Sequence, residues 1–176
     1  MASHSVDLAA SRFTIRTTAQ GMLSKLAHDL EIECNDVDLT FETDGQAWSA
    51  TLTIPTHGLA VVGAVKKGRV DKGVLSAKDK TQIETKIRAD VVAGPVIVTA
   101  TGKSHRSGDA TIKTNRGSQS VTLELSVRET EAALIVDGTI TASLKALGAP
   151  EVKGPMGIFK VRDAIELGFY VELRTS

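Results

Sequence analysis

The sequence predicts a single, mainly β domain of antiparallel strands closed around an apolar interior, with one short helix. Three observations predict it. Apolar and polar residues alternate with period two from one end to the other, β-branched Val, Ile and Thr are abundant, and one segment alone switches to helical periodicity. One apolar and one polar face per strand implies antiparallel pairing with a wet outer surface. Such strands need a second apolar layer, and closing the sheet supplies it while removing exposed edges.

Taken in order, Phe13 and Ile15 alternate with Arg12, Thr14 and Arg16. Leu26, His28, Leu30, Ile32 and Cys34 share one phase, and Ala27, Asp29, Glu31 and Glu33 the other. Val37, Leu39 and Phe41 make a third strand, followed by Trp48, Ala50, Leu52 and Ile54, which Pro55 ends. Asp44-Gly45 between these two runs is a hairpin signal. Later, Val121, Leu123, Leu125 and Val127 read as one strand, and Leu134, Val136 and Ile140 continue more loosely. The last run is the cleanest: Ile165, Leu167, Phe169, Val171 and Leu173 oppose Glu166, Tyr170 and Glu172. Further turn signals stand at Asn35-Asp36, Ser107-Gly108-Asp109 and Asn115-Arg116-Gly117.

From Ser76 to Val91 the period changes. Ser76 with Asp79 forms a capping-box pattern, and Ile83, Ile87 and Val91 share one helical face. Lys80–Glu84 and Glu84–Arg88 are i,i+4 pairs read as exposed, and Gly94-Pro95 stops the helix. The apolar stripe is narrow, so the helix is expected to pack across a mouth or flank of the barrel.

The totals bound the function. A chain of 176 residues makes one domain, residues 1–176, with no repeat or linker to divide it. Lys+Arg and Asp+Glu both number 21, so no net field attracts nucleic acid or anionic membrane. Aromatics are only 3% of residues, too few for base stacking. No apolar stretch is long enough to span a membrane, and no leader pattern precedes Arg16. A lone cysteine, Cys34, excludes an internal disulfide. These features are read as a cytoplasmic protein, or a periplasmic one if a leader was removed.

Candidate chemistry is sparse. His28-Asp29 cannot form a dyad within a strand, because neighbours point to opposite faces. His28 is read either as a core histidine satisfied inside the barrel or as one polar contact in a cavity wall. The four histidines lack helical metal-ligand spacing, and His28 and Cys34 would stand roughly 20 Å apart on one strand, so no metal or cofactor is expected. Gly63 to Gly68 has the glycine spacing of a phosphate loop, but Arg69 and Val70 stand where Lys and Ser or Thr are required. The stretch is nonetheless basic, with Lys66, Lys67, Arg69 and Lys72. It reads as a solvated loop or as cations that meet the anionic head of a ligand. No Gly-x-Ser-x-Gly elbow is present.

Three segments carry a family resemblance. Asp7-Leu-Ala-Ala-Ser11-Arg-Phe13-Thr-Ile15 is similar to the opening Asp-x-x-His-Ser strand of the YceI-like proteins, with Ala10 where that family usually has His. Leu75-Ser-Ala-Lys-Asp79 and the Gly94-Pro95-Val-Ile97 stretch resemble its helical insertion and the turn that follows. Gly157 to Leu167, with Val161 and Asp163, resembles its closing strand. The resemblance implies a lipocalin-like antiparallel β-barrel of about eight strands, assembled as a homodimer, whose apolar tunnel holds an isoprenoid or lipid-like ligand.

On this reading the protein is a binding or carrier protein and not an enzyme. Phe13, Ile15, His28, Leu30, Ile32, Phe41, Trp48, Leu52 and Phe169 are expected to wall the cavity. Two alternatives stand beside it: a barrel packed solid by its own side chains, and a hydrolase or isomerase using His28.

Overall fold

The two-residue alternation is realised as antiparallel strands in a computed structural model that describes residues 4–21, 27–154, 157 and 159–175. In chain order the strands are β1 (His4–Thr17), β2 (Ala19–Gln20), β3 (Asp29–Cys34), β4 (Asp38–Asp44), β5 (Ala47–Ile54), β6 (Leu59–Lys66) and β7 (Arg69–Asp71). Helix α1 (Ala77–Lys86) and a π-helical turn (Ile87–Val91) follow. Then come β8 (Val96–Ser104), β9 (Ser107–Lys113), β10 (Ser118–Glu124), β11 (Ser126–Glu129), β12 (Ala133–Ser143), β13 (Lys160–Val161) and β14 (Ala164–Thr175).

The ladders run as two main sheets. The larger has the order β11-β12-β14-β1-β3-β6-β7, the smaller β10-β9-β8-β5-β4, and β13 pairs β2 in a short ribbon. Among the described residues no ladder joins the two main sheets. They are linked instead by chain that turns a corner. The run from Val121 to Val127, expected to be one strand, is split at Leu125: β10 pairs β9 in the small sheet and β11 pairs β12 in the large one. Leu125 leaves both ladders and donates its N–H to the Arg106 carbonyl at 2.9 Å. Alternation survives the bend, because Leu123, Leu125 and Val127 all still face the interior.

A second irregularity shapes β1. Its pairing with β14 shifts between Asp7 and Arg12, which inserts a bulge into an otherwise long ladder. Side chains hold this bulge. Asp7 accepts from the Ala10 N–H at 3.2 Å, Ser11 Oγ donates to the Asp7 carbonyl at 2.6 Å, and the Glu172 N–H donates to Ser11 Oγ at 3.1 Å. Asp7 also pairs with Arg174 of β14. The Asp and Ser of the opening motif therefore work on the backbone.

Helix α1 begins as its capping box predicts. Ser76 Oγ accepts the Asp79 N–H at 3.1 Å, and Asp79 accepts the Ser76 N–H at 2.9 Å. Hydrogen bonds from the Ser76 hydroxyl, then from its N–H, hold the Asp79 carboxyl below the usual carboxylate range. The helix lies on a flank. β7 pairs only residues 64–66 of β6, and α1 covers the rest of that edge. Glu84 accepts the Val61 N–H at 2.9 Å, and Arg88 donates to the Thr56 and Leu59 carbonyls at 3.1 and 3.2 Å. Glu84 was expected in solvent-facing ion pairs; its main partner is instead this strand edge, with Arg88 4.0 Å away.

Two corrections concern turns. The basic segment Lys66–Lys72 is a hairpin, not a loop: β6 and β7 pair through Lys67-Gly68, both with positive φ (51° and 77°), a type I′ geometry that glycine accommodates at no cost. Ser107-Gly108-Asp109, expected as a turn, begins β9, and the reversal falls one step earlier at His105-Arg106. The expected inward position of Leu26 lies outside the described residues.

Replacing Ser11 with Ala removes the acceptor of the Glu172 N–H and the donor to Asp7. We expect Ser11→Ala to lower unfolding stability by about 1–2 kcal/mol, read from urea denaturation, with the β signature in far-UV circular dichroism unchanged.

Candidate functional site

Inner faces of the two sheets enclose a cavity of about 370 Å³, partly open to solvent. This is within the size of small-molecule sites, roughly 300–1,000 Å³. Alternation decides its wall. β4 contributes Leu39, Phe41 and Thr43; β5 contributes Trp48, Ala50, Leu52 and Ile54; β8 contributes Val98 and Ala100. From the large sheet come Phe13, Thr14 and Ile15 of β1, Leu134, Val136 and Ile140 of β12, and Leu167 through Leu173 of β14 in the inward phase. Packed clusters lie at either side of the space. Ala110, Ile112, Leu123, Ile140, Ala142, Leu147 and Ile165 form one; Phe13, Ile32, Cys34, Ile54, Leu59 and Val61 form the other.

Of the wall expected from the sequence, Phe13, Ile15, Phe41, Trp48, Leu52 and Phe169 line this cavity. His28, Leu30 and Ile32 do not. Ile32 is buried in the second cluster, beneath the flank that α1 covers. His28 precedes β3 and is exposed, so the alternation read through it does not apply. Its neighbour Asp29 accepts the Ala19 N–H at 2.9 Å, a structural contact. The basic hairpin also stands away from the cavity: none of Lys66, Lys67, Arg69 or Lys72 lines it.

Trp48 is placed by small residues. Its Nε1 donates to the Ser104 carbonyl at 2.8 Å, and its ring lies over Gly102 and Gly108. A Cβ at Gly102 would stand 2.5 Å from the Ser107 carbonyl oxygen and against the indole, so no side chain fits there.

Sequence reading missed the polar groups of the wall. His4, Thr14, Thr43 and His105 line it with the backbone of Gly45, and among the described residues no Lys, Arg, Asp or Glu does. His105 stands exposed at the turn, its Nε2 3.5 Å from the Gly45 carbonyl. His4 is half-buried, and its Nδ1 is buried without a hydrogen-bond partner. Carrying the β1 alternation back from Phe13 would put His4 on the outer face. The bulge at Asp7–Arg12 breaks that count, so the sequence gives no sign of it.

Cys34 lines the cavity as a free thiol. Burial, with the nearby Glu33 carboxylate second, pushes its pKa up to about 12. The thiol is therefore protonated at neutral pH and a poor nucleophile.

Among solved structures, the chain shares its fold with BcnA of Burkholderia cenocepacia, at a TM-score of 0.67 and 15% identity over 97% of this chain and all of that one. It shares it also with a polyisoprenoid binding domain from Saccharophagus degradans implicated in plant cell wall breakdown. That match has a TM-score of 0.64 and 11% identity, over all of both chains. No family model and no curated protein matches the chain. The resemblance read from the sequence thus stands at the level of the fold.

A thiol whose pKa rises on folding adds stability that is complete below its unfolded value and is lost as pH climbs toward the folded value of about 12. We expect urea midpoints to fall between about pH 8 and about pH 10.5 in the native chain, and to fall less in Cys34→Ala, which removes this titration.

Proposed function

We propose that this protein binds a long apolar ligand, an isoprenoid or similar lipid, inside the space between its two sheets, and acts as a carrier without catalysing a reaction. The observation that carries this is the cavity itself: about 370 Å³ of space walled by aliphatic and aromatic side chains from both sheets. Burying apolar ligand surface there is worth roughly 25 cal/mol per Å², less the cost of ordering a flexible chain. The shared fold with a polyisoprenoid binding domain supports the same class of ligand. We read the two facing sheets as a flattened, lipocalin-like barrel, and the homodimer that the sequence resemblance implies as its assembly.

An interior filled by its own side chains, the second reading of the sequence, would leave no such space. Ala50, Ala100 and Ala110 stand on facing positions of three neighbouring strands, where larger residues would close it. A reaction centred on His28 finds no support, since that side chain is exposed and lies off the cavity.

Two measurements test the proposal. Mass spectrometry of an organic extract of the purified protein is expected to find an isoprenoid or lipid chain; a clean extract, with no thermal shift on adding such a chain, counts against it. Ala100→Leu should fill part of the space. We expect apolar-ligand affinity to fall by about tenfold while stability holds or rises, because the added methylenes enter a void. A loss of about 1–3 kcal/mol of stability would instead report an already packed interior.

A further inference from the structure

We propose that the cavity is a blind slot that measures the chain of its ligand, with Ile15, Ile54, Ile140 and Leu167 as the stop. This rests on the cavity being a ligand site and adds how long a chain it accepts. Both ends of the slot are visible in its wall. The exposed lining residues Thr43, Gly45 and His105 stand together at the β4–β5 and β8–β9 turns and mark the mouth. At the other end Ile140, Leu167 and Ile15 are cross-strand partners, one row across β12, β14 and β1. On the small sheet the wall ends at Ile54 and Val98. One inward step further, Ala142, Ile165, Val96 and Ile112 leave the wall and pack in a common cluster. Beyond this floor the sheets are tied: Gln119 Oε1 accepts the Ser143 N–H at 2.8 Å, and Thr114 Oγ1 donates to the Leu147 carbonyl at 2.7 Å.

The strands give the slot a length. Its wall runs from Trp48 to Ile54 on β5, from Leu134 to Ile140 on β12 and from Leu167 to Leu173 on β14. Each run covers about 20 Å at the rise of a β-strand, so three strands from two sheets agree. An extended hydrocarbon advances roughly 1.2 Å per bond, and an isoprene unit of four main-chain bonds takes roughly 5 Å. About four units therefore reach from mouth to floor. Up to that length each unit buries fresh apolar surface; a further unit stays outside and buries none. The floor does not yield easily. Three of its residues are isoleucines, whose branched Cβ restricts χ1, and the packed cluster below leaves them no space to turn into.

The test holds the head group constant and varies the chain. The full chain, stripped of bound lipid, is incubated with an equimolar mixture of geraniol, farnesol, geranylgeraniol, geranylfarnesol and solanesol, prenols of two, three, four, five and nine units. Retained prenols are quantified by mass spectrometry, and Trp48, the only tryptophan and a wall residue, reports each one alone through its emission. In the native chain we expect retention to rise by at least about fivefold per unit up to geranylgeraniol, and by less than about threefold beyond it. Ile140→Ala lowers the floor, so the ratio of geranylfarnesol to geranylgeraniol should rise by about threefold to tenfold over the native ratio. Ile140→Phe raises the floor, so the ratio of geranylgeraniol to farnesol should fall by a similar factor; this variant decides the matter if the Ala variant fails to fold. Comparing variants with the native chain cancels the differences between prenols in water. Solanesol retained far above geranylgeraniol by the native chain, or unchanged ratios in the variants that fold, overturns the stop while leaving the cavity as a ligand site. If no prenol is retained or perturbs Trp48, the ligand-site reading falls, and this inference with it.

Discussion

The structure depends on a shortage of side-chain volume between two apolar sheet faces. Sheets that face each other sit roughly 10 Å apart and are normally filled by interdigitating large residues. Here several inward positions of the small sheet are small: Ala50, Ala100 and Ala110. Larger residues gather in two clusters at the sides, where Ile112, Ile140 and Ile165 or Phe13, Ile32 and Ile54 close the stack. The faces are therefore held apart and sealed without being filled between. The cavity results from what the sequence leaves out of the middle.

Holding two faces apart requires that their edges and bends be fixed by something other than contact across the gap. Three devices do this. The corner at Leu125 carries one run of chain from the small sheet into the large one, so the faces are joined covalently there. The Asp7–Ser11 bulge lets β1 bend along β14 without losing its inward phase at either end. Helix α1 caps the β6 edge through Glu84 and Arg88, which satisfies strand groups that would otherwise pair with another chain. Asp163 plays a similar part at the far end. It accepts from Ser143 Oγ at 2.7 Å and from the Lys145 N–H at 2.8 Å, contacts that hold its carboxyl below the usual range.

Where alternation had strong hydrophobic contrast, the elements were legible. β5 and β14 were read closely, and their inward residues Trp48, Leu52 and Phe169 line the cavity. Where contrast was weak, strands went unread. β8 alternates faithfully in burial, but its inward phase is Val96, Val98, Ala100 and Gly102 and its outward phase includes Ile97. β6 lacks apolar–polar contrast: Leu59 and Val61 are buried, and Ala60 and Val62 between them are apolar as well though only half-buried. His28 failed for the opposite reason: a good pattern was carried one residue beyond the point where the strand begins.

The sequence by itself determined an antiparallel, mainly β protein with one capped helix, and which face of the strongest strands turns inward. Period-two patterning and capping are local, so their physics is complete within a few neighbouring residues. Tertiary structure decided the rest: that the ladders divide at Leu125 into two sheets, that Ile32 packs solid while Leu52 faces a void, and that His4 stands on the wall of that void. Each depends on how far apart two sheets come to rest. That distance follows from bulges, corners and the summed volume of residues distant in the chain, a sum that no single strand contains.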